Sequence, residues 1–257
     1  MNKPIILVTG ATSGIGRATC LLLAQKMSGC TIIAAGRREE RLQELKQIIE
    51  NETASHCITV CLDVRSLSDV EQKITRNSAF RLEDIDILIN NAGLAAGLST
   101  VDEGSIDHWE RMIDTNVKGL LYVSKPVIAA MKKKRSGHII NLSSVAGKDA
   151  YTGAAVYCAT KFGVEAITRS MRQELVPYGI KVSSIAPGAV NTEFSQVRFD
   201  GDKEKADKVY NGFDPLYAED IAECILFILT APEHVNIADM TILPKAQADS
   251  RMIHKEL

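Results

Sequence analysis

Tyr157 and Lys161 stand four positions apart in the helical stretch Tyr157-Cys158-Ala159-Thr160-Lys161, so both side chains fall on one helix face. A free phenol has a pKa near 10 and is a poor base at neutral pH. An ammonium about 4 Å away, at an effective dielectric of about 20, favours the phenolate by roughly 4 kcal/mol. That is enough to bring the phenol toward neutrality, where it can give or take a proton. The same spacing also describes an ordinary helix pair. Ser143 and Ser144 close the apolar run His138–Leu142. A residue at the carboxyl end of a parallel strand faces the crevice where ligands bind. Ser144 placed there can hydrogen-bond a substrate oxygen.

A second constellation is Thr9-Gly10-Ala11-Thr12-Ser13-Gly14-Ile15-Gly16, which follows the first apolar run and opens a helix. Gly10 and Gly14 permit a tight turn and close approach of a pyrophosphate, and Gly16 permits close helix–strand packing. The helix N-terminus adds free N–H groups and a partial positive charge. Gly10, Thr12, Ser13, Gly14, Ile15 and Gly16 are therefore candidate cofactor contacts. About twenty residues further on, a carboxylate would hold an adenosine ribose 2′-hydroxyl. The chain instead reads Ala34-Ala35-Gly36-Arg37-Arg38. Two guanidiniums suit a 2′-phosphate, which favours NADP over NAD. The alternative for Arg38 is a pair with Glu40 or Glu44 in the helix that follows.

These groups need a scaffold, and the hydrophobic pattern supplies one. Candidate strands are Ile5–Thr9, Thr31–Ala35, Ile58–Leu62, Ile85–Asn90, His138–Leu142, Lys181–Ile185 and Met240–Leu243. Helical patterns begin near Ile15, Glu39, Leu67, Ile106 and Ala154, and a further one spans Glu219–Leu229. Strands alternating with helices predict an α/β fold, a doubly wound parallel sheet of seven strands with helices on both faces. The strands are near-continuous apolar runs, as burial on both faces requires. No linker interrupts residues 1–257, so one domain is expected. The stretch Asn191–Asp214 has no clear period and reads as a mobile segment near the site.

Composition narrows the function classes. Lys and Arg total 30 against 32 Asp and Glu, a net charge of −2, which argues against a nucleic-acid partner. No apolar run reaches membrane-spanning length, and the start of the chain lacks a secretory pattern, so a cytoplasmic protein with no membrane partner is expected. The six cysteines are dispersed and form no Cys-x-x-Cys pair, and the five histidines form no metal motif. Reduced, buried thiols and no metal are expected. The basic run Lys132–Arg135 reads as a solvated helix end, and Trp109 as a packing residue.

Taken together, the glycine turn, Asn90-Asn91-Ala92-Gly93, Asn116, Ser144 and Tyr157-x-x-x-Lys161 resemble the motif set of the short-chain dehydrogenase/reductase family. Asp63 and Pro187-Gly188-x-Val190-x-Thr192 also match, so the resemblance runs over the whole chain. It implies a single Rossmann-type domain, strand order 3-2-1-4-5-6-7 and a homotetramer. It implies four catalytic residues: Tyr157 as general acid/base, Lys161 lowering its pKa and binding the nicotinamide ribose, Ser144 holding the substrate oxygen, and Asn116 supporting a water relay to Lys161. It places Asp63 and Val64 along the adenine and Asn90, Ala92 and Gly93 along the cofactor. Pro187, Gly188, Val190 and Thr192 would meet the nicotinamide end.

Gly36-Arg37-Arg38-x-x-Arg41-Leu42, Met112-Ile113-Asp114-Thr115-Asn116 and Thr192-Glu193-Phe194-Ser195-x-Val197-Arg198-Phe199 are similar to the NADP-dependent 3-hydroxy acid dehydrogenases. That likeness implies a small 3-hydroxy acid substrate such as serine, L-allo-threonine or 3-hydroxypropionate. The segment Gly188–Thr192 departs from that group's pattern by lacking an additional glycine before Thr-Glu-Phe. A broad carbonyl, ketoacyl or hydroxysteroid reductase is the alternative enzyme. A non-catalytic NADP-binding sensor would be expected to lack one of the four catalytic residues, and all four are present. Arg198 is the candidate partner for a substrate carboxylate. Its alternatives are a pair with Glu193, Asp200 or Asp202, or a bridge between subunits.

Overall fold

The computed structural model describes residues 3–256 of the 257, so the expected domain is covered except for Met1, Asn2 and Leu257, which lie outside the described residues. The strands are β1 Ile5–Thr9, β2 Thr31–Gly36, β3 His56–Cys61, β4 Ile87–Asn90, β5 Gly137–Leu142, β6 Ile180–Pro187, β7 Val190–Asn191, β8 Leu216–Tyr217 and β9 Asp239–Ile242. The α-helices are α1 Gly14–Lys26, α2 Glu39–Glu52, α3 Leu67–Val70, α4 Ile106–Ile113, α5 Leu120–Lys134, α6 Ala155–Leu175, α7 Glu193–Arg198, α8 Lys203–Lys208 and α9 Ala218–Leu229.

Seven strands form one parallel sheet in the order β3-β2-β1-β4-β5-β6-β9. Each of the seven expected strands is present, with ends shifted by a few residues. The order reverses beside β1, between β1 and β4, so the carboxyl ends of these strands flank the crevice typical of such sheets. Alternate side chains along each strand point to opposite faces. Ile6 and Val8 pack with Cys20 and Leu23 of α1, Leu45 of α2 and Ile225 of α9. Leu7 and Ile33 pack on the other face with Val123 and Val127 of α5 and Val164 of α6. Both faces are thus covered, and the centres of β1, β2, β4, β5 and β6 are buried, while the edge strands β3 and β9 are partly exposed.

The fold departs from the sequence reading in several places. The long helix expected from Ile106 is broken by a π-helical turn at Asp114–Gly119, which lies between α4 and α5 and contains Asn116. Such turns are hard to read from periodicity and cluster at functional sites. The stretch expected to be an irregular mobile segment folds instead into α7 and α8. Thr192 caps α7 by accepting a hydrogen bond from the Phe194 N–H at 3.2 Å. A two-residue parallel pair, β7 with β8, ties the ends of that stretch together.

Cys20, Cys30, Cys57 and Cys158 are buried, but Cys61 is exposed because it ends the edge strand β3. The basic run that closes α5 is less solvated than expected. Lys134 Nζ donates to Ile85 O at 2.7 Å and pairs with Asp86 at 2.8 Å, and Arg135 donates to Pro177 O at 2.8 Å. Trp109 packs against the cluster around Met112 and Tyr157. Among the described residues no helix is long and apolar enough to cross a membrane, and no group of His, Cys, Asp and Glu gathers as a metal site.

Candidate active site

An open cleft runs over the carboxyl ends of the parallel strands. At its centre the β1–α1 turn presents Gly10, Thr12, Ser13, Gly14 and Ile15 to the cavity. Gly10 has φ +69, and a Cβ there would fall 2.8 Å from Asn91 Nδ2. A side chain at this point is excluded by both conformation and space. Gly16 is set behind the turn and does not line the cavity, so its expected cofactor contact is not what its position provides. A Cβ on Gly16 would collide with Gly10 O and Asn91 Nδ2, so its absence lets α1 close on the strand. The first turn of α1 has no acidic residue and Ser13 makes no side-chain cap, which leaves its N–H groups and partial positive charge facing the cleft. A diphosphate fits this cradle.

One end of the cleft carries Arg37 and Arg38, with Asp63 and Val64 on the adjoining wall. Arg38 does not pair with Glu40 or Glu44. Its Nε and Nη2 donate to Thr12 Oγ1 at 3.2 and 3.1 Å, and its Nη1 meets Glu193 Oε2 at 2.8 Å. Asp63 is held by Arg65 at 2.6 Å, and those hydrogen bonds keep its carboxyl below the ordinary value. The two guanidiniums at this end fit an adenosine ribose phosphate, and Glu193 already pairs with one of them.

The middle wall is Asn91, Ala92, Gly93 and Leu94. Asn90, expected beside them, points the other way. Its Nδ2 donates to Ser124 Oγ at 2.9 Å and to Asn141 Oδ1 at 2.8 Å inside the core, because alternate residues of a strand face opposite sides. Asn91 takes the wall position and donates from Nδ2 to Thr9 O at 2.9 Å. Asn116 is buried beside this wall. Its Oδ1 accepts from Leu94 N at 2.8 Å, while Nδ2 donates to Leu94 O at 2.8 Å and Thr160 Oγ1 at 3.0 Å. The buried amide clamps the chain beyond Gly93. Gly93 is nonetheless flanked by Asn116 Oδ1 and Lys161 Nζ, at 3.3 and 3.5 Å from a Cβ built on it.

The other end holds Ser144, Tyr157 and Lys161, together with Pro187, Gly188, Val190 and Thr192. Helix α6 brings Tyr157 and Lys161 to the cavity one turn apart, and the extended backbone at Ser144 turns its hydroxyl toward them. Ser144 Oγ accepts from Ala146 N at 3.1 Å and donates to Pro187 O at 3.5 Å. Lys161 Nζ donates to Leu142 O at 2.8 Å and stands 6.0 Å from the Tyr157 ring centroid. Burial lowers the Lys161 pKa to about 8, opposed by the charge of Glu165 one turn on. The Glu165 carboxylate pairs with Lys148 at 2.9 Å and accepts from Ser184 Oγ at 2.9 Å.

The Tyr157 phenol is pushed above its ordinary value by burial, with the neighbouring Tyr151 adding to the effect. The Ser144 hydrogen bond and the Arg198 charge pull the other way. The expected lowering by Lys161 is therefore not what the protein alone produces. Arg198 is a second cation at the ring, its guanidinium carbon 5.7 Å from the centroid.

Arg198 makes none of the ion pairs considered for it, with Glu193, Asp200 or Asp202, among the described residues. Its Nη2 donates to Tyr151 Oη at 3.1 Å and its Nε to Gly97 O at 3.4 Å. Phe194, at the other end of α7, lies 5.9 Å from the Tyr157 ring. Helix α7 thus lies over Tyr157 with one aromatic and one cationic side chain against it. Tyr151 carries no signal in the sequence, Glu193 and Phe194 are legible there only as part of the motif after Thr192, and Asn91 only as part of the run Asn90–Gly93.

A doubly wound sheet with a glycine cradle at its switch point and Ser144, Tyr157 and Lys161 at one end of the cleft defines the short-chain dehydrogenases. The short chain dehydrogenase family model matches residues 4–203, and the chain belongs to that family. It is 43% identical over 245 residues to an NADP-dependent 3-hydroxy acid dehydrogenase of Salmonella typhi, covering 95% of this chain and 96% of that one. A protein of the same description from Schizosaccharomyces pombe is 40% identical over 256 residues, covering 100% of this chain and 98% of the other. Among solved structures, the closed form of a serine dehydrogenase complexed with NADP+ superposes with a TM-score of 0.88 at 40% identity, covering 98% of this chain and 100% of that one.

Proposed function

We propose that this chain is an NADP-dependent oxidoreductase that moves a hydride between the cofactor and carbon 3 of a small 3-hydroxy acid, of the serine, L-allo-threonine or 3-hydroxypropionate type. The observation that carries the reading is the layout of one cleft and its border. Two arginines sit at the phosphate end and an acid–base tyrosine beside a serine at the other, and the Arg198 guanidinium, outside the cavity lining and with no carboxylate partner among the described residues, stands against that tyrosine. The relatives described as NADP-dependent 3-hydroxy acid dehydrogenases support it.

NADP supplies or accepts the hydride when bound. Arg37 and Arg38 would hold its 2′-phosphate, the β1–α1 turn its diphosphate, and Pro187 to Thr192 its nicotinamide end. Ser144 donates to the substrate oxygen and fixes it beside the phenol. Tyr157 takes the hydroxyl proton in oxidation and returns it in reduction. Lys161 stands beside Gly93, where a ribose hydroxyl can be bound, and adds positive charge near the phenolate as it forms. Arg198 forks onto the substrate carboxylate, and α7 excludes water from the reacting carbon.

The domain is read as spanning 1–257, in a cytoplasmic homotetramer acting on a small molecule, without nucleic-acid or membrane partners. Exposed Leu121 on α5 and Phe162 on α6, two helices on the same face of the sheet, are candidates for a self-association surface. The test is a panel of serine, L-allo-threonine, 3-hydroxypropionate, ketoacyl thioesters and steroid alcohols with NADP. Highest kcat/KM for a 3-hydroxy acid is expected. Highest kcat/KM for a thioester or steroid would move the chain to the broad reductase reading.

A further inference from the structure

The two lips of the cleft are joined by an ion pair that the hydride chemistry does not use. Glu193 opens α7 on one side, and Arg38 precedes α2 on the other, 155 residues away in sequence. Arg38 Nη1 lies 2.8 Å from Glu193 Oε2, and Arg41 Nη1 lies 3.6 Å from Glu193 Oε1. With Nε and Nη2 on Thr12, all three nitrogens of Arg38 are engaged. Partial burial raises the Glu193 pKa, but hydrogen bonds from Arg38 and Ser13 and the charge of Arg41 outweigh it, so the group is an anion at neutral pH.

A 2′-phosphate reaching Arg38 meets a guanidinium that already holds a carboxylate. Two anions on one guanidinium repel each other, and each weakens the other's hold. A 2′-hydroxyl has no such conflict. We infer that Glu193 is a cofactor-specificity residue whose carboxylate competes with the adenosine 2′-phosphate for Arg38 and so holds NADP affinity below what the arginines alone would give. The inference rests on the reading that Arg38 meets the 2′-phosphate. The pair is partly exposed, at 44% and 36%, so its effect is that of a screened surface pair.

The test is calorimetric titration of the full-length protein with NADP+ and with NAD+, on the native chain, Glu193→Gln, Arg38→Ala and the double variant, at low and high salt. Glu193→Gln should tighten NADP+ binding by about two- to fivefold and leave NAD+ binding unchanged. The gain should shrink at high salt and vanish in the Arg38→Ala background. If Arg38→Ala weakens NADP+ binding but Glu193→Gln weakens it too, leaves it unchanged, or shifts both dinucleotides equally, the competition is overturned and the reading of Arg38 stands. If Arg38→Ala leaves NADP+ binding unchanged, the reading of Arg38 is itself wrong and the inference falls with it.

Discussion

Replacing Arg198 with Met tests whether the substrate's acid end is read by the protein. The guanidinium donates to Tyr151 Oη at 3.1 Å and lies 5.7 Å from the Tyr157 ring, so a carboxylate on the reacting substrate falls within its reach. A charge-assisted hydrogen bond is worth about 1.5–3 kcal/mol. A loss of about 2 kcal/mol corresponds to roughly thirtyfold in kcat/KM. The substitution also removes a cation that pulls the phenol down, which slows acid and neutral substrates alike. The carboxylate's share is therefore the ratio between the two. Kinetics with serine and with a neutral alcohol of similar size should show roughly thirtyfold or greater extra loss for serine. Equal losses for both would refute the assignment and leave Arg198 as a residue that only holds α7 over the site.

Lys161→Met should abolish most turnover and also weaken dinucleotide binding, because the ribose contact goes with the charge; full-affinity binding measured by titration would contradict the ribose role. Asn116→Ala leaves the N–H and C=O of Leu94 unpaired, which should lower unfolding free energy by about 1–3 kcal/mol in denaturant melts. Unchanged stability would show that the amide does not clamp this segment. His138 is buried, with its pKa lowered to about 4 from an ordinary 6.5, first by burial and then by the charge of Lys181. The folded protein therefore resists protonation of this ring. The stability that its neutrality gives is complete above about pH 6.5 and is lost as pH falls through about 4, reaching about 3 kcal/mol. His138→Gln should flatten the drop in unfolding free energy across that window, and an unchanged slope would assign the acid sensitivity to other groups.

The scaffold was legible because its signals are local. Apolar runs such as Ile5–Thr9 and Lys181–Ile185 mark buried parallel strands within a single window of sequence. Glycine spacing after β1 and the Tyr157–Lys161 interval are likewise contained in single turns. What escaped depends on partners far along the chain or on one-residue geometry. Asn90 and Asn91 are adjacent and chemically identical, and only the direction of the β4 pleat sends one to the core and the other to the cleft. Asn116 sits in a π-turn that a 3.6-residue period does not reveal. The pair between Arg38 and Glu193 joins two segments that meet only once the sheet has folded. The balance of forces on Tyr157 is not legible from spacing, which reports the cation four residues away and is blind to burial and to Arg198.

In the proposed function, Tyr157 handles the substrate proton at a preassembled NADP site. Tyr157→Phe keeps the ring and its contact with Phe194 and removes only the hydroxyl. The direct measurement is single-turnover NADPH formation from L-allo-threonine or serine, with NADP+ affinity measured on the same preparation. The expected rate is lower by more than about 100-fold, with NADP+ affinity retained. A variant that turns over at the native rate would contradict it.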